Sequence, residues 1–522
     1  MKILSVEQMR DLEEIANSEG ISYQQMMTSA GNNLGEWIEN QFESPKPSLV
    51  IGLIGSGKNG SDTLIALNYL AKRGRLCIAY LVKPRSDNDP LIEELIILGG
   101  KVIFKSDDES GIILEKLLYY DAIVLDGILG TGFKPPLDSI LERDLRLINS
   151  FISRNVIRPI VIAVDCPSGI DCNTGACDAS TIKSDFTACM GAVKTGLMKM
   201  PANDYCGDLF KIDIGIPDSF PQLDNISTFV IDKELAIQLL PQRPSNSHKG
   251  SFGKCLIYAG SSTFPGAAYL ASKAAYLSGA GLVEVIAKRE LRDIIGKILP
   301  EAIWHEISFD NRESGSKPDF PGYDAFLIGP GIGSTDYSED YFHFLLDNNF
   351  FSDQDMSNHP GTVILDADAL RFISKIDKWW VKLHSNMILT PHPGEMAAMT
   401  GLSIQEIQEN RLDIAGDYAR LWRKIVVLKG ALTIIANPGG ETGIVPIATS
   451  ALATAGTGDC LAGLITGFCA QKVDPFNAAQ LGAFVHAKSG CLAESFSGQP
   501  YSVIASDVLK CIPQTLSSLF KI

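Results

Sequence analysis

The stretch SLVIGLIGSGKNGSDTLIALNYLAKRG, residues 48–74, carries the pattern that decides the fold. An apolar run of strand length ends in a glycine-rich turn, and a pattern of helical period follows and ends at Gly74. Such an apolar run, leading through glycines into a helix, is typical of one strand of a parallel sheet with its crossover helix. The stretch therefore predicts an α/β protein. We expect its helix to begin at about Asp62, after a turn prolonged over NGSD.

The alternation of predicted strands and helices continues along the chain and is interrupted once. The further predicted strands are LCIAYLV, AIVLDGILG and IVIAVDCPSG in the first half, and KCLIYAGS, DAFLIGPGIG, TVILDAD, MILTPHPGE and IVVLKGALTII in the second. Residues 215–250 between them are rich in Pro, Ser and Asn, which favour turns and linkers. We therefore predict a domain over 1–217, a linker and boundary over 218–247, and a larger α/β domain over 248–522.

The composition of the chain argues against some kinds of partner. The 522 residues are 45% hydrophobic and carry a net charge of −16, which argues against a nucleic-acid partner because phosphate backbones require a basic surface. No secretory signal and no apolar run of transmembrane length is visible, so we expect no membrane partner. Eleven scattered cysteines fit reduced thiols and a cytoplasmic protein.

The glycine turn of the opening stretch is close to a nucleotide-binding P-loop. Gly52, Gly57 and Lys58 have the required spacing, but Asn59 stands where a magnesium-binding hydroxyl is needed. The alternative is a structural strand-to-helix turn. Two further polar loops, 126–136 and 165–175, also follow predicted strands, and ligands of parallel sheets bind at that edge.

These three loops, GSGKNGSD, DGILGTGFKPPL and VDCPSGIDCNTG, together resemble the N-terminal NAD(P)H-hydrate epimerase domain. SDFTACMGAVKTG and GDLFKIDIGIP resemble the closing segments of that family, so the resemblance extends over about the first 217 residues. It implies a Rossmann-like three-layer domain that epimerises NADH and NADPH hydrates, with Asp165 as the catalytic acid or base. For Asp165 the alternative is a solvated or helix-capping carboxylate.

The resemblance also implies the residues that bind ligands in this domain. Those expected to bind the hydrate are Lys58, Asn59, Gly60, Ser61, Asp62, Gly130, Thr131, Gly132, Phe133, Lys134, Pro135, Pro136 and Asp165. Asn59, Asp126 and Ser168 are expected to bind potassium. Three positions depart from the family pattern: Lys58 replaces Asn, and Ser61 and Thr63 replace Gly. Lys58 would either add a phosphate contact or crowd the loop, and side chains at 61 and 63 would block close approach of the backbone, so we expect weak epimerisation.

The stretch ATAGTGDCLAGLITG, residues 453–467, carries the chemistry of the second half. Gly456 and Gly458 would turn the first amides of a helix toward an anion, with Asp459 at the entrance as a base for a substrate hydroxyl. The alternative is that Asp459 caps an ordinary helix. VVLKGALTII favours the catalytic interpretation, because it offers Lys429 and Thr433 to a nucleotide.

This combination resembles the ribokinase-like superfamily and, more narrowly, the NAD(P)H-hydrate dehydratase domain. The segments that carry the resemblance lie within about residues 230–510: HKGSFGKCLIYAGSSTFPGAAYLASKAAYLSGAGLVEV, IGPGIG, LDADAL, LTPHPGEMAAM, VVLKGALTII and AGTGDCLAGLITG. The resemblance implies that ADP or ATP phosphorylates the hydrate and that phosphate is then eliminated, with Asp459 as the base. It places Ala267, Gly333, His392 and Asp459 at the hydrate, and Lys429, Gly430, Ala431, Leu432, Thr433 and Gly458 at the nucleotide. Glu395 is expected to bind magnesium indirectly.

Two other functions stay open from the sequence. One is a ribokinase-like small-molecule kinase fused to a Rossmann-like domain, which would release a stable phosphorylated product. The other is a nucleotide-sensing module without turnover. For the main interpretation the partners are NADH hydrate, NADPH hydrate and ADP or ATP, and we expect a homo-oligomer.

Overall fold

The protein is described here from a computed structural model. The structure describes residues 1–42, 49–86, 88–155, 158–306, 322–333, 336–347, 361–384 and 387–520. The chain divides into two compact units, Met1–Val230 and Ile231–Ile522. Helix Pro221–Asp224, strand Thr228–Val230 and helix Lys233–Leu239 lie within the segment predicted as a linker. Within the described residues, no helix combines the length and the apolar character that crossing a membrane requires.

The first unit contains ten strands and eight helices in its described residues. The strands are β1 (Ile3–Leu4), β2 (Leu49–Ile54), β3 (Leu76–Leu81), β4 (Lys101–Phe104), β5 (Ala122–Gly127), β6 (Ile160–Val164), β7 (Phe186–Met190), β8 (Val193–Lys194), β9 (Asp208–Ile212) and β10 (Thr228–Val230). The helices are α1 (Val6–Ser18), α2 (Tyr23–Gln41), α3 (Lys58–Lys72), α4 (Pro90–Ile97), α5 (Ile112–Leu118), α6 (Ser139–Arg154), α7 (Asn203–Cys206) and α8 (Pro221–Asp224), with 3₁₀ turns at Lys105–Asp107 and Thr195–Met198.

Seven of these strands form one parallel sheet in the order β4-β3-β2-β5-β6-β7-β9. Alternate residues of β2 point to opposite faces. Val50 packs under α1, α2 and α3, and Ile51 packs under α5 and α6. Each face is thus covered by its own apolar core, which explains why β2 reads as a continuous apolar run. The strand order reverses between β2 and β5, and the loops that follow these two strands flank the crevice where such sheets bind ligands.

The first turn of α3 differs from the sequence prediction. The helix begins at Lys58, directly after the N-cap Gly57, and not at about Asp62. The prediction of a prolonged turn was wrong because Gly60 and Ser61, which propensity assigns to a turn, are held in the helix by tertiary contacts. Gly60 lies so close to the backbone of Gly55 that an added Cβ would be 2.2 Å from its carbonyl oxygen. Helix α1 begins with a capping box formed by Ser5 and Gln8.

The second unit contains nine strands and eleven helices in its described residues. The strands are β11 (Lys254–Tyr258), β12 (Leu282–Ala287), β13 (Ile303–Glu306), β14 (Ala325–Ile328), β15 (Thr362–Leu365), β16 (Met387–Leu389), β17 (Ile425–Leu428), β18 (Ile434–Ala436) and β19 (Thr442–Ile444). The helices are α9 (Lys233–Leu239), α10 (Pro265–Ser278), α11 (Arg289–Ile295), α12 (Asp336–Asp347), α13 (Asp368–Ser374), α14 (Pro393–Thr400), α15 (Ile404–Glu409), α16 (Arg411–Trp422), α17 (Thr457–Ala470), α18 (Pro475–Ser497) and α19 (Ala505–Phe520). Short 3₁₀ turns lie at Lys249–Phe252, Trp379–Val381 and Ser450–Leu452.

Strands β13-β12-β11-β14-β15-β16-β17 are parallel, and β18 and β19 continue the sheet antiparallel. Here the order reverses between β11 and β14. Helix α17 packs tightly on α10, because a Cβ added at Gly463 would stand 2.2 Å from the carbonyl oxygen of Ala271. This contact fixes where α17 begins. The predicted fold class, two α/β units with mainly parallel sheets, is confirmed.

Candidate active sites in the two units

The first unit contains a cavity of about 510 Å³ at the strand reversal between β2 and β5. Its lining comes from α1, the turn after β2 with the start of α3, the segment after β3, the loop after β5 and the ends of β6 to β8: Val6, Met9, Arg10, Glu13, Ser56, Gly57, Lys58, Asn59, Asp62, Lys83, Ile128, Leu129, Gly130, Thr131, Gly132, Phe133, Asp165, Met190 and Lys194. Eight of the residues predicted to bind the hydrate are among them. Gly60, Ser61, Lys134, Pro135 and Pro136 do not line the cavity.

Asp165 is the best-anchored carboxylate of this cavity. Its backbone has a φ of 65°, a left-handed conformation that places the side chain just after β6, although it costs energy for a residue other than glycine. Its Oδ1 accepts hydrogen bonds from the backbone N–H of Met190, at 3.0 Å, and from Lys194 Nζ. Lys194 is buried and donates in addition to the carbonyl oxygens of Met190 and Ala192. Burial lowers the pKa of Lys194, but Asp165 together with Cys189 and Cys172 raises it, and the pKa is raised overall.

Asp62 and Glu13 are two further carboxyls at this cavity, in a different environment. Burial raises the pKa of Asp62 well above its ordinary value, and the negative charges of Asp165 and Glu13 raise it further. Burial also raises the pKa of Glu13, while Lys58 lowers it. The Asp62 carboxyl accepts no hydrogen bond from the described residues. The cavity therefore brings together a carboxylate paired with a lysine and a carboxyl whose pKa is raised.

Asn59, Asp126 and Ser168, predicted to bind potassium, lie together beside the cavity. The Asn59 amide donates to the carbonyl oxygens of Leu129 and Val164, both at 2.7 Å. Ser168 donates to both oxygens of Asp126, from Oγ at 2.6 Å and from its backbone N–H at 2.8 Å. Asp126 is fully buried, and burial raises its pKa although the bonds from Ser168 oppose this. Within the described residues no Lys, Arg or His pairs with Asp126. A buried carboxylate among carbonyl and hydroxyl oxygens fits a monovalent cation.

The side chains of Ser61 and Thr63 do not face the cavity, whereas the sequence predicts that they crowd the loop. Ser61 Oγ accepts a hydrogen bond from Arg85 Nη2 at 2.9 Å, and Arg85 Nη1 donates to the carbonyl oxygen of Gly55 at 2.8 Å. Thr63 is fully buried and donates from Oγ1 to the carbonyl oxygen of Asn59 at 2.8 Å. Both side chains therefore brace the turn from behind. Lys58, the third departure, lies at the cavity with a largely exposed side chain.

In the second unit, Asp459 lies in the first turn of α17 but does not cap it. The N-cap is Gly456, in a left-handed conformation and without a side-chain bond. The Asp459 carboxyl accepts no hydrogen bond from the described residues. Burial raises the pKa of Asp459 to about 7, Asp366 and Asp368 raise it as well, and Lys429 opposes them. The backbone N–H groups of Gly458 and Asp459 have no acceptor in the described part of the chain, so this turn can bind an anion.

Lys429 connects Asp459 to a second acidic residue, Asp366. Its Nζ donates to Asp366 Oδ1 at 2.6 Å and lies 3.8 Å from Glu395 Oε2. Thr390 Oγ1 also donates to Asp366 Oδ1, at 2.7 Å. A Cβ added at Gly458 would stand 3.6 Å from the same Nζ. Lys429 therefore approaches the first turn of α17 at Gly458. Lysine, helix start and carboxylates form one charged cluster.

His392, Glu395, Gly333 and Ala267, all named by the sequence, lie in the turns after the parallel strands or in the helices that follow them. His392 caps α14 through Nδ1, which accepts from the N–H of Gly394 at 2.9 Å, while Glu395 Oε2 accepts from the N–H of His392 at 2.8 Å. Burial raises the pKa of Glu395, and Lys429 opposes this. Gly333, with a φ of 82°, donates its N–H to Asp368 Oδ2 at 2.9 Å. Ala267 is buried in the first turn of α10.

Residues Lys429 to Thr433 form the turn between β17 and β18. Gly430 has a φ of 143°, and an added Cβ would stand 2.9 Å from Arg411 Nη1. Arg411 Nη2 donates to the carbonyl oxygen of Leu428 at 3.1 Å, and burial lowers the pKa of Arg411 to about 10. The Leu432 side chain is buried, so this residue can offer only its backbone to a nucleotide. Arg411 supports the turn from below.

Several residues at these sites were not named by sequence reasoning. Asp366 and Asp368 lay within the quoted segment LDADAL, and the rule that polar residues after parallel strands face the ligand would have identified them. Glu13, Lys194 and Arg411 could not be found in this way. They come from a helix face, a two-residue strand and a helix N-terminus, and only the tertiary structure brings them to the sites.

Known proteins are similar to both halves of the chain. The family model described as NAD(P)H-hydrate dehydratase matches residues 255–514, and the family model described as YjeF-related protein N-terminus matches residues 23–196. The chain is 32% identical to the bifunctional NAD(P)H-hydrate repair enzyme Nnr of Moorella thermoacetica, over 99% of this chain and 97% of that protein. It is 30% identical to the enzyme of the same name from Escherichia coli, over 97% and 92%.

Among solved structures, the ADP/ATP-dependent NAD(P)H-hydrate dehydratase of Bacillus subtilis, co-crystallised with ATP and Mg²⁺, is 30% identical. The match covers 56% of this chain and 98% of that one, with a TM-score of 0.47.

Proposed function

Because this chain belongs to the family of bifunctional NAD(P)H-hydrate repair enzymes, we propose that it restores hydrated nicotinamide cofactors in two steps, one in each unit. The first unit epimerises the R and S forms of NADH and NADPH hydrate. The second unit dehydrates the S form to NADH or NADPH at the expense of ADP or ATP. The cluster of Asp459, Lys429 and Asp366 at the start of α17 is the observation that carries the proposal.

In the dehydratase step, Asp459 accepts the proton of the C6 hydroxyl as that oxygen attacks the terminal phosphoryl group of the nucleotide. The backbone amides of Gly458 and Asp459 hold the phosphoryl oxygens, and Lys429 neutralises the charge that develops on them. ADP leaves as AMP, or ATP leaves as ADP. The C6–O bond of the phosphorylated intermediate then breaks, C5 loses a proton, and inorganic phosphate departs. Phosphorylation is what turns the hydroxyl into a good leaving group.

Further residues of the second unit are proposed to bind the nucleotide, the hydrate and magnesium. The turn Lys429–Thr433 binds the adenine nucleotide through its backbone, with Gly430 allowing close approach. Ala267, Gly333 and His392 bind the hydrate. Glu395, which lies near Lys429, would hold magnesium through water molecules. When bound, the ion would screen the negative charge of the nucleotide phosphates.

In the epimerase step, Asp165 and Asp62 divide the acid and base roles at C6 of the nicotinamide ring. Asp165, which Lys194 holds in place, takes the proton, and Asp62, whose pKa is raised by burial and by neighbouring carboxylates, donates one. Asn59, Asp126 and Ser168 would hold potassium, which would fix the loops on both sides of the cavity. Weak epimerisation stays untested, although the Ser61 and Thr63 side chains that motivated this expectation contact the turn and do not line the cavity. The cytoplasmic location and the homo-oligomer also stay predictions.

A coupled assay tests the whole proposal. Purified protein receives an equilibrated mixture of R and S NADH hydrate with ADP or ATP and magnesium, and the absorbance of reduced nicotinamide is followed. We expect full recovery of NADH. Recovery of the S fraction alone would remove epimerisation from the proposal, and accumulation of a stable phosphorylated product would identify a small-molecule kinase instead.

A further inference from the structure

The mouth of the epimerase cavity carries three cationic side chains that the proposed chemistry does not use: Arg10, Lys58 and Lys83. Within the described residues, Arg10 and Lys83 form no hydrogen bond or ion pair. Lys58 lies 3.9 Å from Glu13 Oε2, and its side chain is 78% exposed. Lys58 also lies over the Tyr23 ring, with Nζ 5.0 Å from its centre, and Arg10 interacts electrostatically with Glu7 and Glu13. Lys83 is thus the cation most available to an anionic ligand group, and Lys58 is held only loosely by its exposed contacts.

The position of Lys83 is fixed by the sheet. Strand β3 runs parallel to β2 with Leu81 opposite Ile54, and the backbone N–H groups of Val82 and Lys83 both donate to the carbonyl oxygen of Ile54, at 3.0 and 3.3 Å. Lys83 therefore emerges beside the glycine turn that begins at Gly55, at the edge of the sheet that faces the cavity. Pro84 follows it and keeps its backbone extended.

This position has a known chemical meaning in dinucleotide-binding sheets. An acidic residue after the strand next to the glycine turn binds the 2′-hydroxyl of the adenosine ribose, whereas a cation there accommodates a 2′-phosphate. Residues 82–86 read VKPRS and contain no acidic side chain. Arg85 does not compete for the ligand, because its guanidinium is bound to Asp89, at 2.7 Å, and to the turn itself.

From this arrangement we propose that the first unit selects NADPH hydrate over NADH hydrate, with Lys83 and Lys58 binding the 2′-phosphate. The inference rests on the epimerase function proposed above and adds its substrate preference. A phosphate monoester carries a charge of about −1.5 to −2 at pH 7, where the unphosphorylated ribose has a neutral hydroxyl. Lys83 and Lys58, which line the same cavity, match that charge, and Arg10 of the same lining adds a third positive charge.

The test measures interconversion of R and S hydrate by the full-length protein without nucleotide, so that the dehydratase cannot turn over. The uncatalysed rate is subtracted. We expect kcat/KM for NADPH hydrate to exceed that for NADH hydrate by at least about tenfold, since hydrogen bonds to charged groups have this magnitude. Lys83→Ala should lower kcat/KM for NADPH hydrate by about tenfold or more and change that for NADH hydrate by less than about threefold. Lys83→Arg should retain the preference.

Lys101→Ala is the matched control, because it removes the same charge from an exposed position on the edge strand β4, outside the cavity. Similar rates with both hydrates in the parent protein, or an equal loss with both in Lys83→Ala and Lys58→Ala, would overturn the preference and leave the epimerase function intact. Absence of catalysis with either hydrate would instead contradict the epimerase function itself.

Discussion

Replacing Asp459 by Asn separates a catalytic base from a structural carboxylate. The variant keeps the shape of the side chain but cannot accept the proton of the substrate hydroxyl. Loss of a positioned base costs about 10²–10⁴-fold in rate. We therefore expect turnover of the S hydrate to fall at least about a hundredfold, with adenine nucleotide still bound.

The same substitution should stabilise the protein at alkaline pH. Raising the pKa of Asp459 from 3.8 to about 7 means that burial disfavours its ionised form by up to about 4 kcal/mol. Asp459 is partly exposed, so we halve this figure to about 2 kcal/mol. This destabilisation exceeds the stabilisation of about 0.3–1 kcal/mol that an ionised carboxylate gains from the dipole at a helix N-terminus. Because the folded pKa is the higher one, the folded protein bears this cost fully above pH of about 7, and the cost shrinks as the pH falls toward 4.

Calorimetry at pH 8 and pH 5, alongside turnover at pH 8, measures both effects. We expect the Tm of Asp459→Asn at pH 8 to rise by about 4 °C or more, with a smaller rise at pH 5. The matched control is Asp474→Ala, which removes a true cap, since Asp474 accepts from the N–H groups of Phe476 and Asn477. It should lose about 1 kcal/mol of stability and keep its turnover. Near-parental turnover in Asp459→Asn together with a lowered Tm would refute the catalytic role.

Four further predictions follow from the two sites. The kcat/KM of dehydration should rise with pH through about 7, because Asp459 must lose its proton to act, and a flat profile between pH 5.5 and 8.5 would contradict this. Lys194→Met should abolish epimerisation, shift the pH optimum of any residual activity upward and cost about 3 kcal/mol of stability. Dehydration of the S hydrate should continue. Unchanged epimerisation would show that the lysine has no part in the mechanism. A protein comprising residues 230–522 should dehydrate S hydrate, and a folded, nucleotide-binding fragment without activity would show that its site is incomplete. The combined variant Lys58→Asn, Ser61→Gly and Thr63→Gly should epimerise NADPH hydrate more slowly than the parent, because it loses the Arg85 and Asn59 contacts; a faster rate would show that these side chains crowd the loop.

The sequence was sufficient to predict the strands and the turns that hold the sites. Strand β2 and the turn around Gly456 are specified locally, by apolar runs and glycines, so pattern reasoning finds them. The start of α3 was misplaced because Gly60 and Ser61 favour a turn locally, and only contacts with Gly55 and Arg85 hold them in the helix. Lys194 could not be assigned a role from sequence, since its pairing with Asp165 depends on how two distant segments meet.

The different environments of Asp62 and Asp165 were also beyond sequence reasoning. The sequence places both residues in polar segments that follow predicted strands, and the structure places Asp62 within α3. Burial beside like charges raises the pKa of Asp62, whereas Asp165 contacts the buried Lys194. Such differences depend on distances that only the fold supplies.

The close packing of α17 on α10 has a consequence for synthesis of the chain on the ribosome. Helix α10 is complete at Ser278, but the glycine-bearing face that covers it arrives only with Gly463 and Gly467. At about 5–20 residues per second, the apolar side of α10 waits on the order of 10–40 seconds for its partner. We therefore expect the second unit to depend on chaperones during the interval before α17 leaves the ribosome, and to be prone to aggregation if they are absent.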